Sequence, residues 1–349
     1  MSNISRPETT CPTLPARSED GERVARLLRA TSRTFALSIE GLPGSLREEM
    51  ALAYLLFRVS DYFEDHPELS PDEKAELLAL WEQTLANPER AGALTRRMAD
   101  VPYDRSDPEA DVAREFELLF RVLSSFDHRV QAVIVERVRE TTRGMARWQL
   151  KGPRVEDEDE LDDYMHHVAG LVGYLVTDLF ALHFPRIAER RTRLMPLARE
   201  FGLALQCVNI LRGLRKDYER GWIFVPRTLC AEHGLVTTDL FRPATEHRAM
   251  QVVRDLAEKA ERHLRNGLRY VTLIPRSLHR LRLACMWPLL FAARTIAVTR
   301  ENPAVLRGEA KITRDTVASI VRHTMVLGWS NSWLSAYANR LLASERLAE

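Results

Sequence analysis

Strand signals are nearly missing from this 349-residue sequence. Only WIFVP (222–226) looks strand-like, and one such segment is too short and too isolated to build a sheet. Cysteine is scarce as well. Cys11, Cys207, Cys230 and Cys285 form no CxxC pair and show no metal-like spacing, so a disulfide framework and a zinc site are both excluded. The thiols are read as reduced, in a cytoplasmic protein. Net charge is only +1, which leaves no broad footprint for nucleic acid, and none is expected as a partner. No run of roughly eighteen apolar residues escapes a charge. The nearest, VAGLVGYLVTDLFALHF from Val168, is interrupted by Asp178 and reads as a buried core helix. Residues 1–20, MSNISRPETTCPTLPARSED, lack the apolar core of a signal peptide and are expected to be a disordered tail.

What the sequence has is helical periodicity. Apolar residues recur three and four apart through 22–40, 45–66, 71–87, 107–125, 128–150, 160–184, 196–220, 243–272, 277–300 and 312–345. Ser45-x-x-Glu48 and Ser70-x-x-Glu73 read as capping boxes, the second with Pro71 at the first helical position. Pro67 should stop one helix and Gly221 another, which starts near Pro196. The stretch 88–108 reads as a loop. The expectation is an all-α fold, with 21–349 forming one helical domain.

Three clusters on these helices ask for partners. The first is Asp61, Glu64 and Asp65 in FRVSDYFEDHPE. Spacings of three and four put them on one face, the outer pair about 6 Å apart along the axis. Carboxylates that close repel and raise one another's pKa, and a divalent cation such as Mg²⁺ removes the penalty. A solvated acidic turn is the plain alternative. Against it, the preceding ALAYLLFRV is apolar nearly all round, and acids at a helix C-terminus oppose its dipole. The second cluster is LALQCVNILRGLRKDYERG, where Asn209, Gly213 and Asp217 share a stripe with Gln206 on the same side. It suits a ligand site or a polar network between helices equally. The third is YMHHVAGLVG, from Tyr164, whose glycines let either another helix or a ligand come close. The acidic run EDEDELDD before it reads as favourable charge at a helix N-terminus and nothing more.

Together these motifs resemble the squalene/phytoene synthase family. SRTFALSI (32–39) is similar to its substrate flap, DYFED to its first DxxED motif, and NILRGLRKD lies where its second Asp-rich motif belongs. YMHHVAGLVG and VLRGEAKITR (305–314) look nearer to squalene synthases than to phytoene synthases. The resemblance spans about 22–320 and implies an isoprenoid-synthase helical bundle around a central apolar cavity. It implies head-to-head joining of two prenyl diphosphates, farnesyl diphosphate foremost, through a cyclopropyl (presqualene-type) diphosphate to squalene or a close C30 product. It also implies Mg²⁺ and, for the reductive squalene reaction, NADPH. By the same resemblance, Asp61, Glu64 and Asp65 hold metal on a substrate diphosphate, with Asn209 and Asp217 doing so from the facing helix. Ser32, Arg33, Arg58 and Arg212 contact diphosphate oxygens. Phe35 belongs to the flap, Tyr54 and Gln206 line the reacting centre, and Tyr164 handles a proton near the departing diphosphate.

The sequence departs from the family in one place. Where the second motif has three acids, this chain has Gly213, Lys216 and Asp217. Where squalene synthases carry an Arg five residues after the last Asp, it has Trp222, with Arg220 nearby. The Lys216 ammonium is one candidate to replace lost metal charge. An acceptor without a diphosphate, such as an aromatic one, is the second functional reading, and a non-catalytic assembly scaffold is the third. The ending SAYANRLLASERLAE is too charged to span a bilayer, so transient, peripheral contact with a membrane surface is expected for a protein with a greasy product.

Overall fold

The computed structural model describes residues 19–343, except residues 105 and 309 and the side chain of Arg33. Cys11 and the expected tail up to residue 18 lie outside the described residues. The chain is all-α. In order come α1 (Glu19–Thr31), α2 (Arg33–Glu40), α3 (Leu46–Asp65), α4 (Pro71–Ala86), α5 (Ala91–Met98), α6 (Pro108–Arg114), α7 (Phe116–Ser124) and α8 (His128–Lys151). Then follow α9 (Glu158–Met165), α10 (Leu171–His183), α11 (Pro185–Ala188), α12 (Arg191–Glu219), α13 (Arg227–Glu232), α14 (Glu246–Leu273), α15 (His279–Arg300), α16 (Arg314–Leu327) and α17 (Asn331–Ala343). The strand-like 222–226 segment contributes a single isolated bridge, Arg154 to Ile223.

Several boundaries moved for local reasons. The 22–40 segment breaks at Ser32, which turns extended and caps α2, its Oγ accepting from the Phe35 N–H at 3.1 Å. The first helix already starts at Glu19, inside the expected tail. Ser70 forms its capping box with Glu73, but Ser45 is itself helical and makes no side-chain cap. His66, held at ψ 123° before Pro67, ends α3 as a pre-proline residue must. The expected 88–108 loop contains α5. α12 begins five residues before Pro196 rather than at it. At its other end Gly221 takes φ +85°. The Trp222 and Gly221 N–H groups return to the Asp217 and Tyr218 carbonyls at 2.9 and 3.0 Å, a closed left-handed cap.

α3 is buried nearly all round: Leu52, Ala53, Leu55, Leu56, Val59 and Phe63 are sealed from solvent. A buried polar knot fixes its register. Ser60 Oγ meets Thr142 Oγ1 of α8 at 2.8 Å and accepts from Trp81 Nε1 of α4 at 3.2 Å. α12 packs on α10, α14 and α15. A Cβ at Gly173 would sit 2.2 Å from the Ala198 carbonyl oxygen, and one at Gly202 would sit 2.3 Å from that of Ala169. These glycines therefore serve close helix packing, which decides between the two uses left open for the 164–173 motif.

Asp178, the charge inside the longest apolar stretch, is buried and receives Arg137 at 3.1 Å and Arg191 at 2.7 Å. By length and composition two helical stretches, Glu158–His183 and His279–Arg300, could cross a membrane, and 44% and 67% of their apolar windows are buried within the fold. The acidic run does more than favour a dipole. Glu158 and Asp162 both grip the buried Lys259 of α14 at 2.8 Å, tying α9 to α14.

Candidate active site

The C-terminal end of α3 and the C-terminal end of α12 meet. Arg220, just past α12, donates from Nη1 to Asp65 Oδ2 at 2.9 Å and from Nη2 to Asp217 Oδ1 at 2.7 Å. One guanidinium thus bridges the two acid-bearing helices. The 61–65 turn does not simply face bulk water. Glu64 is buried, Asp61 is largely covered, and only Asp65 is well exposed.

Burial dominates the electrostatics of α3. It pushes the Asp61 carboxyl up to about 7, against the opposing pull of the Arg58 ion pair. Burial, then the charges of Asp65 and Asp61, raise Glu64 well above the usual carboxylate range. Arg58 also reaches back to Glu109 of α6 at 2.9 Å, and its guanidinium lies 5.2 Å from the centre of the Tyr54 ring. Phe35 packs on the other part of that ring at 5.9 Å. The Tyr54 hydroxyl interacts with Thr31 and Ser32, so the start of α2 and the middle of α3 share one polar corner. The side chain of Arg33 lies outside the described residues.

Tyr164 looks onto the same acids from α9. It is buried, and burial followed by the charges of Glu64, Asp65, Asp217 and Asp61 raises its phenol well above the ordinary value. The hydroxyl therefore stays protonated at neutral pH, available as a donor. Its ring stacks on Phe224 at 4.4 Å, Phe224 stacks on Trp222 at 5.3 Å, and Trp148 meets Tyr164 edge-on at 5.4 Å. Trp222, where an Arg was expected, extends this aromatic column, and the cation enters two residues earlier as Arg220.

The α12 stripe is only partly covered. Asn209 is exposed and donates to Gln206 Oε1 at 3.3 Å. Lys216 is exposed and, among the described residues, has no ion pair. At Gly213 a Cβ would stand 3.4 Å from Asp217 Oδ2, so the Asp217 carboxylate leans over the place of the missing acid. Arg212 also lacks an ion-pair partner among the described residues, and its Nε is buried without an acceptor. Such a donor is costly unless an anion completes it.

Sequence reasoning missed Glu109 and Lys74. Lys74 of α4 interacts with the charges of Asp65 and Glu64, although burial lowers its own pKa first. Neither stands in a recognisable motif, and no local spacing could have found them.

Among the described residues no three His, Cys, Asp or Glu side chains already converge as a metal cage. The two helices differ in how they would receive a divalent cation. On α3, stacked carboxylates that hold protons because of burial and mutual repulsion suit one that displaces those protons. On α12, a single carboxylate already engaged by Arg220 does not suit a second.

On an all-α scaffold, two acid-bearing helix ends bridged by Arg220, with Arg58 beside Asp61, form a charged corner that suits an anionic, diphosphate-like group of the kind prenyltransferases handle. The comparisons agree. A family model for squalene/phytoene synthase matches residues 28–316. Squalene synthase of Schizosaccharomyces pombe is 28% identical over 331 residues, covering 90% of this chain and 68% of the yeast protein. Human squalene synthase is 28% identical over 300 residues, covering 85% and 67%. Among solved structures, a complex of TcSQS with a ligand superposes with TM-score 0.80 at 25% identity, covering 94% of this chain and 93% of that one. A squalene synthase from Alicyclobacillus acidocaldarius shares the fold with TM-score 0.59 at 19% identity, covering 82% and 94%. The chain belongs to the squalene/phytoene synthase family of prenyltransferase-type enzymes, with a degenerate second Asp-rich motif.

Proposed function

We propose that this enzyme condenses two prenyl diphosphates head to head, farnesyl diphosphate being the favoured substrate, through presqualene diphosphate to squalene or a close C30 product. The observation that carries the reading is the Asp65–Arg220–Asp217 bridge, because it joins the two acid-bearing helix ends at one charged corner. Mg²⁺ bound at Asp61, Glu64 and Asp65 would supply charge neutralisation for a departing diphosphate.

The rest falls to the chain's own groups. Arg58, Arg212 and Arg220 offer guanidinium forks to diphosphate oxygens where negative charge develops. The unpartnered Arg212 Nε supports that role. Tyr164, kept neutral by burial and the acids around it, donates its phenolic proton toward the leaving group. The Trp222–Phe224–Tyr164 stack would offer the outer face of an end ring to an allylic cation, which such a face stabilises. NADPH would be required for the final reduction.

A second reading also has an observation in its favour. The α12 side keeps one acid, already engaged, so it suits one ionising diphosphate and an acceptor that has none. Incubation of the purified protein with farnesyl diphosphate and Mg²⁺, with and without NADPH, separates the two. A C30 hydrocarbon or C30 diphosphate supports head-to-head condensation. Diphosphate release only when a non-prenyl acceptor is added replaces it with the second reading.

A further inference from the structure

Tyr164 is carried by a helix too short to place it unaided. α9 has 8 residues and runs straight into a wider π-helical turn over His166–Gly170. A helix of that length is not stable by its own backbone bonds. It is fastened to α14 instead. Lys259, buried at 5% exposure, sets its ammonium 2.8 Å from Glu158 Oε2 and 2.8 Å from Asp162 Oδ1. Glu158 and Asp162 are four apart, so one ammonium grips one face of α9. One turn further along α14, the buried His263 sets Nε2 3.7 Å from the same Asp162 oxygen and Nδ1 2.8 Å from Glu200 Oε2 of α12. Asn266 donates to that Glu200 oxygen at 3.2 Å.

This chain of charges joins two elements that meet at the acid corner. Residues two apart on a helix point to nearly opposite sides. Asp162 therefore turns to α14, while Tyr164 turns to Glu64, Asp65 and Asp217, whose charges act on it. At the far end of the link, α12 carries both Glu200 and Asp217. Other polar ties of α9 run to α8: Asp163 Oδ2 accepts from Trp148 Nε1 at 3.1 Å, and Glu160 pairs with Lys151 at 2.8 Å. Arg262 reaches Glu158 at 3.6 Å from the exposed side. Without Lys259, α9 can swing about its α8 side. A buried ammonium with two acids stabilises a fold little more than apolar side chains of the same volume would. Its value here lies in where it holds α9.

We propose that Lys259, backed by His263, is a positioning residue for the reaction: it sets how far the Tyr164 hydroxyl reaches toward the acids and the departing diphosphate. It touches no substrate and transfers no proton. It acts through α9, and a displacement of about 1 Å at a reacting group is worth up to about a hundredfold in rate. The proposal rests on the proton-donor role proposed for Tyr164.

The test is kinetic and spectroscopic. Diphosphate release from farnesyl diphosphate with Mg²⁺ is measured for wild type, Lys259→Met, Tyr164→Phe and the double variant. Lys259→Met should lower kcat about tenfold to a hundredfold, with KM for farnesyl diphosphate changed by less than about twofold. In the Tyr164→Phe background no phenolic proton is left to misplace, so the same substitution should lower kcat by less than about twofold. Asp162→Asn leaves Lys259 paired with Glu158. It is carried through in parallel, against failure of Lys259→Met to fold by circular dichroism, and should show the same pattern on a smaller scale. Fluorotyrosine labelling adds a readout besides activity. The fluorine resonance that disappears in Tyr164→Phe should shift in Lys259→Met and in Asp162→Asn, while that of Tyr270, whose hydroxyl meets Thr177 Oγ1 at 3.0 Å, should stay. Equal losses of kcat in the two backgrounds, or an unmoved Tyr164 resonance, overturn the proposal and leave Lys259 a clamp for stability alone. Normal kcat in Tyr164→Phe overturns the proton-donor role and this proposal with it, a failure visible without any change at Lys259.

Discussion

Replacing Arg220 by Gln removes the one guanidinium shared between α3 and α12. The two arms of that bridge are unequal. The Asp65 carboxylate is 54% exposed, so its arm sits in water; losing it costs at most ~0.5 kcal/mol. The Asp217 carboxylate is only 14% exposed. Stranding it costs about 1–3 kcal/mol. Together the loss is about 2 kcal/mol, a fall in Tm of roughly 3 °C for a chain of this size. Arg220→Lys should recover little of it, because an ammonium cannot fork between two carboxylates. Added Mg²⁺ should raise the Tm of Arg220→Gln more than that of wild type, since a divalent ion can take the emptied place between Asp65 and Asp217. Turnover should fall about tenfold to a hundredfold, the value of one charge-assisted contact. The assay is thermal unfolding in EDTA and in MgCl₂, combined with a double-mutant cycle against Asp217→Asn. If the two substitutions add to within about 0.5 kcal/mol, the side chains do not interact and the bridge is refuted.

Other outcomes follow from the same geometry. Lys216→Ala should leave Tm within about 0.5 kcal/mol of stability, since the side chain is exposed, while lowering turnover; unchanged turnover would remove Lys216 from the site. Tyr164→Phe keeps the aromatic stack and loses the proton, so kcat should fall about 10²–10⁴-fold with Tm nearly unchanged. A variant of normal kcat ends the proton-donor role. Asp61 has a folded pKa of about 7, raised above its ordinary value, so its contribution is full at low pH and is lost as pH rises through 7. Mg²⁺ competes with that proton, so its stabilising effect should grow between about pH 6 and about pH 8. A Tm gain from MgCl₂ that is equal at both ends contradicts binding at Asp61. Gly173→Ala forces a methyl group to 2.2 Å from a backbone carbonyl, which should destabilise the fold by about 2–3 kcal/mol by denaturant titration; a variant of wild-type stability would show that α10 and α12 can part freely.

The sequence by itself determined the helices and the single-face clustering of acids on α3. Both are local facts: periodicity spans a few turns, and Asp61, Glu64 and Asp65 share a face by their spacing alone. It also carried the family motifs in order and the departure at Gly213, Lys216 and Trp222. It misjudged places where tertiary contact overrides a local rule. Asn209 lies on the expected stripe yet faces solvent, and Ser45 has capping-box spacing yet is itself helical. Only the tertiary structure decided that Arg220, rather than Lys216, stands between the two acid-bearing helices. It alone brought in Glu109 and Lys74, and it alone assigned Gly173 to helix packing. The reason is physical. An ion pair across two helices depends on where their ends meet and on which direction a left-handed cap turns the chain. Neither is encoded within the few residues over which sequence patterns act.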